Sequence, residues 1–233
     1  MSLCAAAVFA GCGGDDTKID AGAGTTPPAT TATPTQTTAD AEITACLDSG
    51  RPKPAEKKQY TKAEQVLKDG VDSTIVMKTS CGTLNIKLDQ KAGGPIPNSI
   101  AFLAKEGFFD GLTFHRVVPD FVLQGGDPDG NGTGGAGYQV VGPVPKGYQY
   151  KLGDVAMAKT GADRAGSSGS QFFVVSGPQG ESVLTSQPVY GILGHAADAT
   201  SLATIARVAA LAVTDGPPSK PVWIISATLE TAA

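Results

Sequence analysis

Charge is scarce in this chain. Lys, Arg, Asp and Glu make up 17% of its 233 residues, and the formal net charge is −4. A protein built around nucleic acid needs a basic patch, so that class of partner is set aside. No apolar run reaches the roughly 18 residues of a spanning helix, so none is expected. Histidine occurs only as His115 and His195, and cysteine only as Cys4, Cys12, Cys46 and Cys81. There is no Cys-x-x-Cys pair and no cysteine with a neighbouring histidine, so no zinc site, other metal centre or cofactor is expected. A GxSxG elbow is missing, and no histidine lies near the serines of 160–170, which argues against a serine hydrolase. Glycine and proline, by contrast, are plentiful at 30 and 16 residues. With 41% hydrophobic residues the chain can bury a core, and this composition favours a turn-rich β fold over a helical bundle.

The N-terminal quarter reads differently from the rest. Residues 1–12 are apolar and small, and Phe9-Ala10-Gly11-Cys12 resembles a bacterial lipobox, which implies lipidation at Cys12. The residue three before Cys12 is Phe rather than Leu, and no Lys or Arg precedes the apolar run. Residues 13–60 read as a tether. Thr25–Thr38 carries no charge, aromatic ring or large aliphatic group, so it cannot offset the entropy of ordering. A coil of this length spans on the order of 35–40 Å. The expectation is an exported chain in the cell envelope, touching the membrane only through an N-terminal lipid. In such a chain Cys46 and Cys81 are expected to form a disulfide, the alternative being two buried free thiols.

The folded domain is expected over 61–233. Ser73–Ser80 and Gly82–Asp89 alternate as two strands. Pro97 suits a first helical turn, Ile100, Leu103 and Ala104 share a helical face, and Gly107 supplies the stop. Val155–Ala158, Gln171–Val175, Val189–Leu193 and Pro221–Leu229 read as further strands, the last with Trp223 as a core residue. Leu202, Ile205, Ala206 and Ala209 mark one face of a second helix. Gly130–Gly135 matches GxGxxG, but Gly142, Pro143, Pro145 and Gly147 follow where a helix would be needed, so it reads as a loop.

The most informative stretch is Phe114–Asp127. Phe114–Val118 and Phe121–Gln124 are two strand pieces broken by Pro119-Asp120. Side chains alternate, so Phe114, Arg116 and Val118 share one face, and Val122 and Gln124 share another. If those faces meet, a cation and an amide stand over an apolar floor. Alone, such an arginine reads as a solvated edge charge. Its neighbours argue otherwise. Phe114–Arg116, Phe121, Gln124–Asp127, Gly132–Gly135, Met157-Ala158 and Gly169–Phe173 occur in the order and approximate spacing of a known pattern. Over roughly residues 72–230 the chain resembles the cyclophilin-type peptidyl-prolyl cis-trans isomerases.

The resemblance implies a mainly β fold, a closed eight-stranded antiparallel β-barrel capped by two α-helices. It implies Arg116 as catalytic donor, with Gln124 orienting it. Phe121, Val122, Phe173 and Leu184 would form a proline pocket. The Ala158-Lys159 backbone and Gln171 would bind the residues before proline as an added strand. The family's usual residue at Val122 is methionine, and Lys159 replaces a common asparagine. Many members carry tryptophan and histidine on the far wall, and Gly177–Pro188 has neither. The implied activity is X–Pro isomerisation by a monomer acting on proline-containing segments of unfolded or exported proteins. A non-catalytic proline-peptide-binding module or chaperone is the alternative.

Overall fold

A computed structural model describes residues 46–47, 52–53 and 57–232. Cys12, the signal-like segment and most of the proposed tether lie outside the described residues.

The alternating residues of Ser73–Thr79 (β1) and Gly82–Leu88 (β2) pair as an antiparallel hairpin, in register from Thr74 with Lys87 to Thr79 with Gly82. Their alternation sends Ile75, Met77, Leu84 and Ile86 inward, each at most 2% exposed. One turn of helix, Gln90–Gly93 (α1), follows, with the Asp89 carboxylate capping Ala92 N–H. Helix α2, Pro95–Lys105, buries the expected Ile100, Leu103 and Ala104. Next come Arg116–Val117 (β3), Val122–Gly125 (β4), Val140–Val141 (β5), Asp154–Met157 (β6), Ser167–Ser168 (β7) and Phe172–Val175 (β8). The chain ends with Pro178–Ser186 (α3), Ile192–Ala196 (β9), Ala199–Ala209 (α4) and Ile224–Thr231 (β10).

Eight strands form one antiparallel sheet in the order β10-β1-β2-β9-β6-β8-β4-β3. The expected closed barrel is not what forms. The sheet curls into a half-barrel, and its end strands β3 and β10 share no ladder. At this seam the segments meet through isolated bridges, Thr113 with Trp223 and Val117 with Gly216, a Gly111 N–H to Ile224 carbonyl bond at 2.8 Å, and an ion pair between Arg116 and Asp215. The reason is local: Pro217, Pro218 and Pro221 lack N–H donors where a continued ladder would need them. Strands β5 and β7 form a separate two-stranded sheet.

Four helices appear among the described residues, rather than two. Helix α3 lies in Gly177–Pro188, read from sequence only as pocket wall. Pro178 at its start is a helix signal, but only Gly180 and Leu184 are buried, so no apolar periodicity marks it. Its approach is close. A Cβ on Gly180 would stand 2.3 Å from the Phe121 carbonyl oxygen. Helix α4 is rotated from its expected face: Ser201, Thr204, Ile205 and Val208 are buried, while Leu202 and Ala206 are exposed. Two small polar residues can face the sheet because their hydroxyls find partners there. Asn85 N–H donates to Ser201 Oγ at 2.9 Å, and Thr204 Oγ1 donates to Thr83 O at 2.8 Å. Trp223 is half-buried, and its neighbours Val222 and Ile224 fill the core instead.

Packing extends to residues before β1. Cys46 and Cys81 form a disulfide, and the Tyr60 ring meets Phe102 edge-on at 5.1 Å. Two apolar clusters result from alternation along the strands. Val117, Leu123, Val155, Met157, Phe172 and Val174 point into the half-barrel. Val122, Ala156, Phe173 and Val175 point the other way, where Leu184 of α3 and Ile192 join them. The second cluster is the floor of the candidate site.

Candidate active site

The strand register builds the site as a row. Arg116 on β3 stands opposite Gln124 on β4, Gln124 opposite Phe173 on β8, and Phe173 opposite Ala156 on β6. Neighbouring strands lie about 4.8 Å apart, so the arginine and Phe173 are separated by about 10 Å across the sheet. Sequence alternation put Phe114 on the same side as Arg116, and the structure does not. The strand begins only at Arg116, and Phe114, 2% exposed, belongs to the interior cluster.

A cavity of about 160 Å³ opens over this row. It is lined by Arg116, Phe121, Val122, Gln124, Ala158, Lys159, Phe173, Leu184 and Tyr190. Polar groups stand at one end and apolar groups form the floor and far wall. Arg116 Nη1 donates to Gln124 Oε1 at 3.2 Å. Gln124 Nε2 donates to Gln171 Oε1 at 3.1 Å, and Gln171 Nε2 donates to the Gly132 and Gly134 carbonyls, both at 2.9 Å. Each amide's orientation is therefore fixed by the next. On its other edge Arg116 meets Asp215, Nε to Oδ1 at 2.5 Å and Nη2 to Oδ2 at 2.8 Å. The Arg116 guanidinium beside Asp215 holds that carboxyl below its usual range.

Behind the row, burial lowers the pKa of His115, with Arg116 adding to this and Asp127 opposing it. Burial would raise the Asp127 carboxyl, but N–H groups of Asp129, Gly132 and Asn131 outweigh it and hold the value low. Asp127 thereby shapes the loop whose carbonyls orient Gln171.

A family model for the cyclophilin type peptidyl-prolyl cis-trans isomerases matches residues 74–229. The chain belongs to this family. It is thus a member of an enzyme family of isomerases. A Helicobacter pylori peptidyl-prolyl cis-trans isomerase is 40% identical over 118 residues, which cover 50% of this chain and 69% of that protein. Peptidyl-prolyl cis-trans isomerase B of Bacillus subtilis is 51% identical over 78 residues, 33% of this chain and about half (52%) of that protein's length. A crystal structure of a Cryptosporidium parvum cyclophilin type isomerase superposes with a TM-score of 0.59 at 24% identity, covering 70% of this chain and 99% of that one. At that identity the likeness speaks for the fold alone.

Within this cyclophilin-type domain, all but one of the candidate catalytic and peptide-binding residues line the same cavity. Gln171 is the exception. It lines an adjoining cleft of about 650 Å³, which shares Gln124, Ala158 and Lys159 with the cavity. The Ala158 N–H is already occupied by the Gln171 carbonyl at 2.9 Å. Lys159 turns its ammonium to the carbonyls of Thr160 and Asp163, at 3.0 and 3.1 Å. Two residues of the site were missed in the sequence. Tyr190 packs edge-on against Phe173 at 5.1 Å and supplies an aromatic wall. It lies two positions past the window searched for tryptophan and histidine, and its aromatic character was the available signal. Asp215 had no signal, because it is 99 positions from Arg116.

Proposed function

We propose that this domain accelerates rotation about X–Pro bonds, with Arg116 as the hydrogen-bond donor that stabilises the twisted amide. Partial double-bond character sets a barrier of about 18–20 kcal/mol. A 10⁴–10⁵-fold acceleration requires lowering it by roughly 6 kcal/mol. No covalent step or proton transfer is needed. When the amide twists, conjugation is lost and the prolyl nitrogen gains a localised lone pair. A donor aimed there stabilises the twisted state more than either planar one, and only such differential stabilisation speeds the reaction. Arg116 stands at the edge of the apolar floor and presents planar, fixed N–H donors to the site.

The observation that carries this reading is the cavity itself. One cation, oriented by Gln124, borders a floor of Phe121, Val122, Phe173 and Leu184. The floor takes the pyrrolidine ring while the cation meets the amide. The Cryptosporidium parvum neighbour was also crystallised in the presence of the dipeptide Ala-Pro, which supports an X–Pro segment as occupant. The test is exchange NMR on an X–Pro peptide with the full chain and its Arg116→Ala variant. The expected result is clear acceleration, lost by about 10²-fold or more in the variant. Acceleration that survives the substitution places the donor elsewhere. Peptide-induced shifts at Phe121 and Phe173 without acceleration would instead establish a binding module or chaperone.

The proposal extends to place. The chain acts as a monomer outside the cytoplasm, with the residues between Cys12 and Cys46 as tether and Cys12 as the lipid attachment point. The expected tether end at residue 60 is too late, because Cys46 and Tyr60 are tied to the domain. The Cys46–Cys81 disulfide supports export, because such bonds persist in oxidising compartments. Mass spectrometry of the N-terminal peptide from membrane fractions should find lipid on Cys12. An unmodified Cys12, or a Cys12→Ser chain that still partitions with membranes, would count against it. Light scattering should give the mass of one chain.

A further inference from the structure

Arg116 has five N–H bonds, and three have partners in the structure. Nε–H and one Nη2–H go to Asp215, at 2.5 and 2.8 Å, and one Nη1–H goes to Gln124, at 3.2 Å. Among the described residues, one hydrogen on each terminal nitrogen remains without a partner. The guanidinium is therefore gripped along two edges, by a carboxylate in fork geometry and by an amide. Asp215 is itself held by backbone. Val117, next to Arg116, donates its N–H to the carbonyl of Gly216, next to Asp215, at 2.7 Å. Ser219 N–H closes the same loop onto the Leu211 carbonyl at 2.8 Å, and Pro217-Pro218 stiffen it. The seam that leaves the half-barrel open is thus also what brings the carboxylate to the arginine. With side-chain exposures of 31% and 62%, the Arg116–Asp215 pair contributes little to stability. Its geometric effect is larger, since a long arginine side chain otherwise samples many rotamers.

We propose that Asp215 is a positioning residue: its carboxylate fixes the guanidinium plane of Arg116 so that the two remaining N–H bonds meet the twisting X–Pro amide. This rests on the reading of Arg116 as the donor. The test uses the full chain with Asp215→Asn, Asp215→Glu, Arg116→Ala and the Arg116→Ala/Asp215→Asn double variant. Exchange NMR gives kcat/KM, titration with the X–Pro peptide gives Kd, and solvent exchange of the Arg116 Nε–H reports the clamp. Asp215→Asn should lower kcat/KM by about tenfold or more while Kd moves by no more than about twofold. The Nε–H should exchange faster in Asp215→Asn, and Asp215→Glu should recover part of the rate. Adding Asp215→Asn to Arg116→Ala should change nothing further. Wild-type kcat/KM in Asp215→Asn, with Arg116→Ala inactive, would overturn the positioning role and leave the donor role intact. An equal loss in both backgrounds would reduce Asp215 to a structural part of its loop. An unchanged Nε–H exchange rate in Asp215→Asn would overturn the clamp even where Arg116→Ala falls below detection. Full activity of Arg116→Ala would remove both readings together.

Discussion

Arg116 and Gln124 stand opposite each other in the β3–β4 ladder, and the guanidinium Nη1 donates to the amide oxygen at 3.2 Å. Because Gln124 is also in register with Phe173, one amide links the cationic end of the cavity to its aromatic floor.

Replacing that amide tests the link. Gln124→Ala frees one edge of the guanidinium and leaves the Gln171 side-chain oxygen Oε1 without its donor. The expected result is a fall in kcat/KM of about tenfold, with peptide Kd and melting temperature little changed. Exchange NMR and thermal denaturation on the same samples separate the two effects. An unchanged rate would mean that Gln124 orients nothing the reaction uses.

Helix α3 carries Leu184 into the cavity, and Gly180 sets how closely that helix approaches the Phe121 turn. A Cβ at 2.3 Å from backbone oxygen cannot be accommodated without moving the helix. Gly180→Ala should therefore destabilise the fold by about 1–3 kcal/mol, despite alanine's better helix propensity, and weaken peptide binding. Urea denaturation reads the first and titration the second. A stabilised variant with unaltered Kd would show that α3 does not shape the pocket.

The Cys46–Cys81 bond closes a loop of sequence separation 35. On the chain-entropy model this stabilises by roughly 4 kcal/mol. The Cys46→Ser/Cys81→Ser chain should lose about that much in denaturant. Neither cysteine lines the cavity, so kcat/KM of the folded molecule should hold. A stability change near zero would mean that the loop is already restrained in the unfolded chain.

Acid should weaken the fold in two windows. The Asp127 carboxyl, raised by burial but lowered further by three backbone N–H groups, has a net depressed pKa. Its contribution is present above the ordinary carboxylate value of about 3.9 and is lost as pH falls through the lower folded value. His115 is also depressed, chiefly by burial, so its contribution starts to be lost as pH drops below about 6.5. Stability measured against pH should lose the upper window in His115→Gln and the lower one in Asp127→Asn. Asp127→Asn should also cost about 3 kcal/mol at neutral pH, since an amide cannot accept all three backbone bonds at once. Wild-type pH curves in either variant would contradict the assignment.

How much was legible in the sequence follows from the range of each interaction. Strand alternation is local, so the hairpin of β1 and β2 could be read directly, while the floor residues Val122 and Phe173 came from the ordered motifs of the family resemblance. The α4 face could not, because Ser201 and Thr204 are buried only by virtue of acceptors and donors on β2. Helix α3 was hidden for a related reason: a helix that buries only Gly180 and Leu184 has almost no apolar period.

By itself the sequence determined the family, the mainly β character, the arginine–glutamine pair and the apolar floor, since ordered motifs and period-two patterning encode them. Tertiary structure decided what depends on distant segments meeting. It left the half-barrel open at a proline-rich seam, rotated α4, and brought Tyr190 to the cavity wall. It also placed Asp215 against Arg116 across 99 positions of chain. Such contacts are fixed by register and loop closure at the seam, and no local pattern of residue types records them.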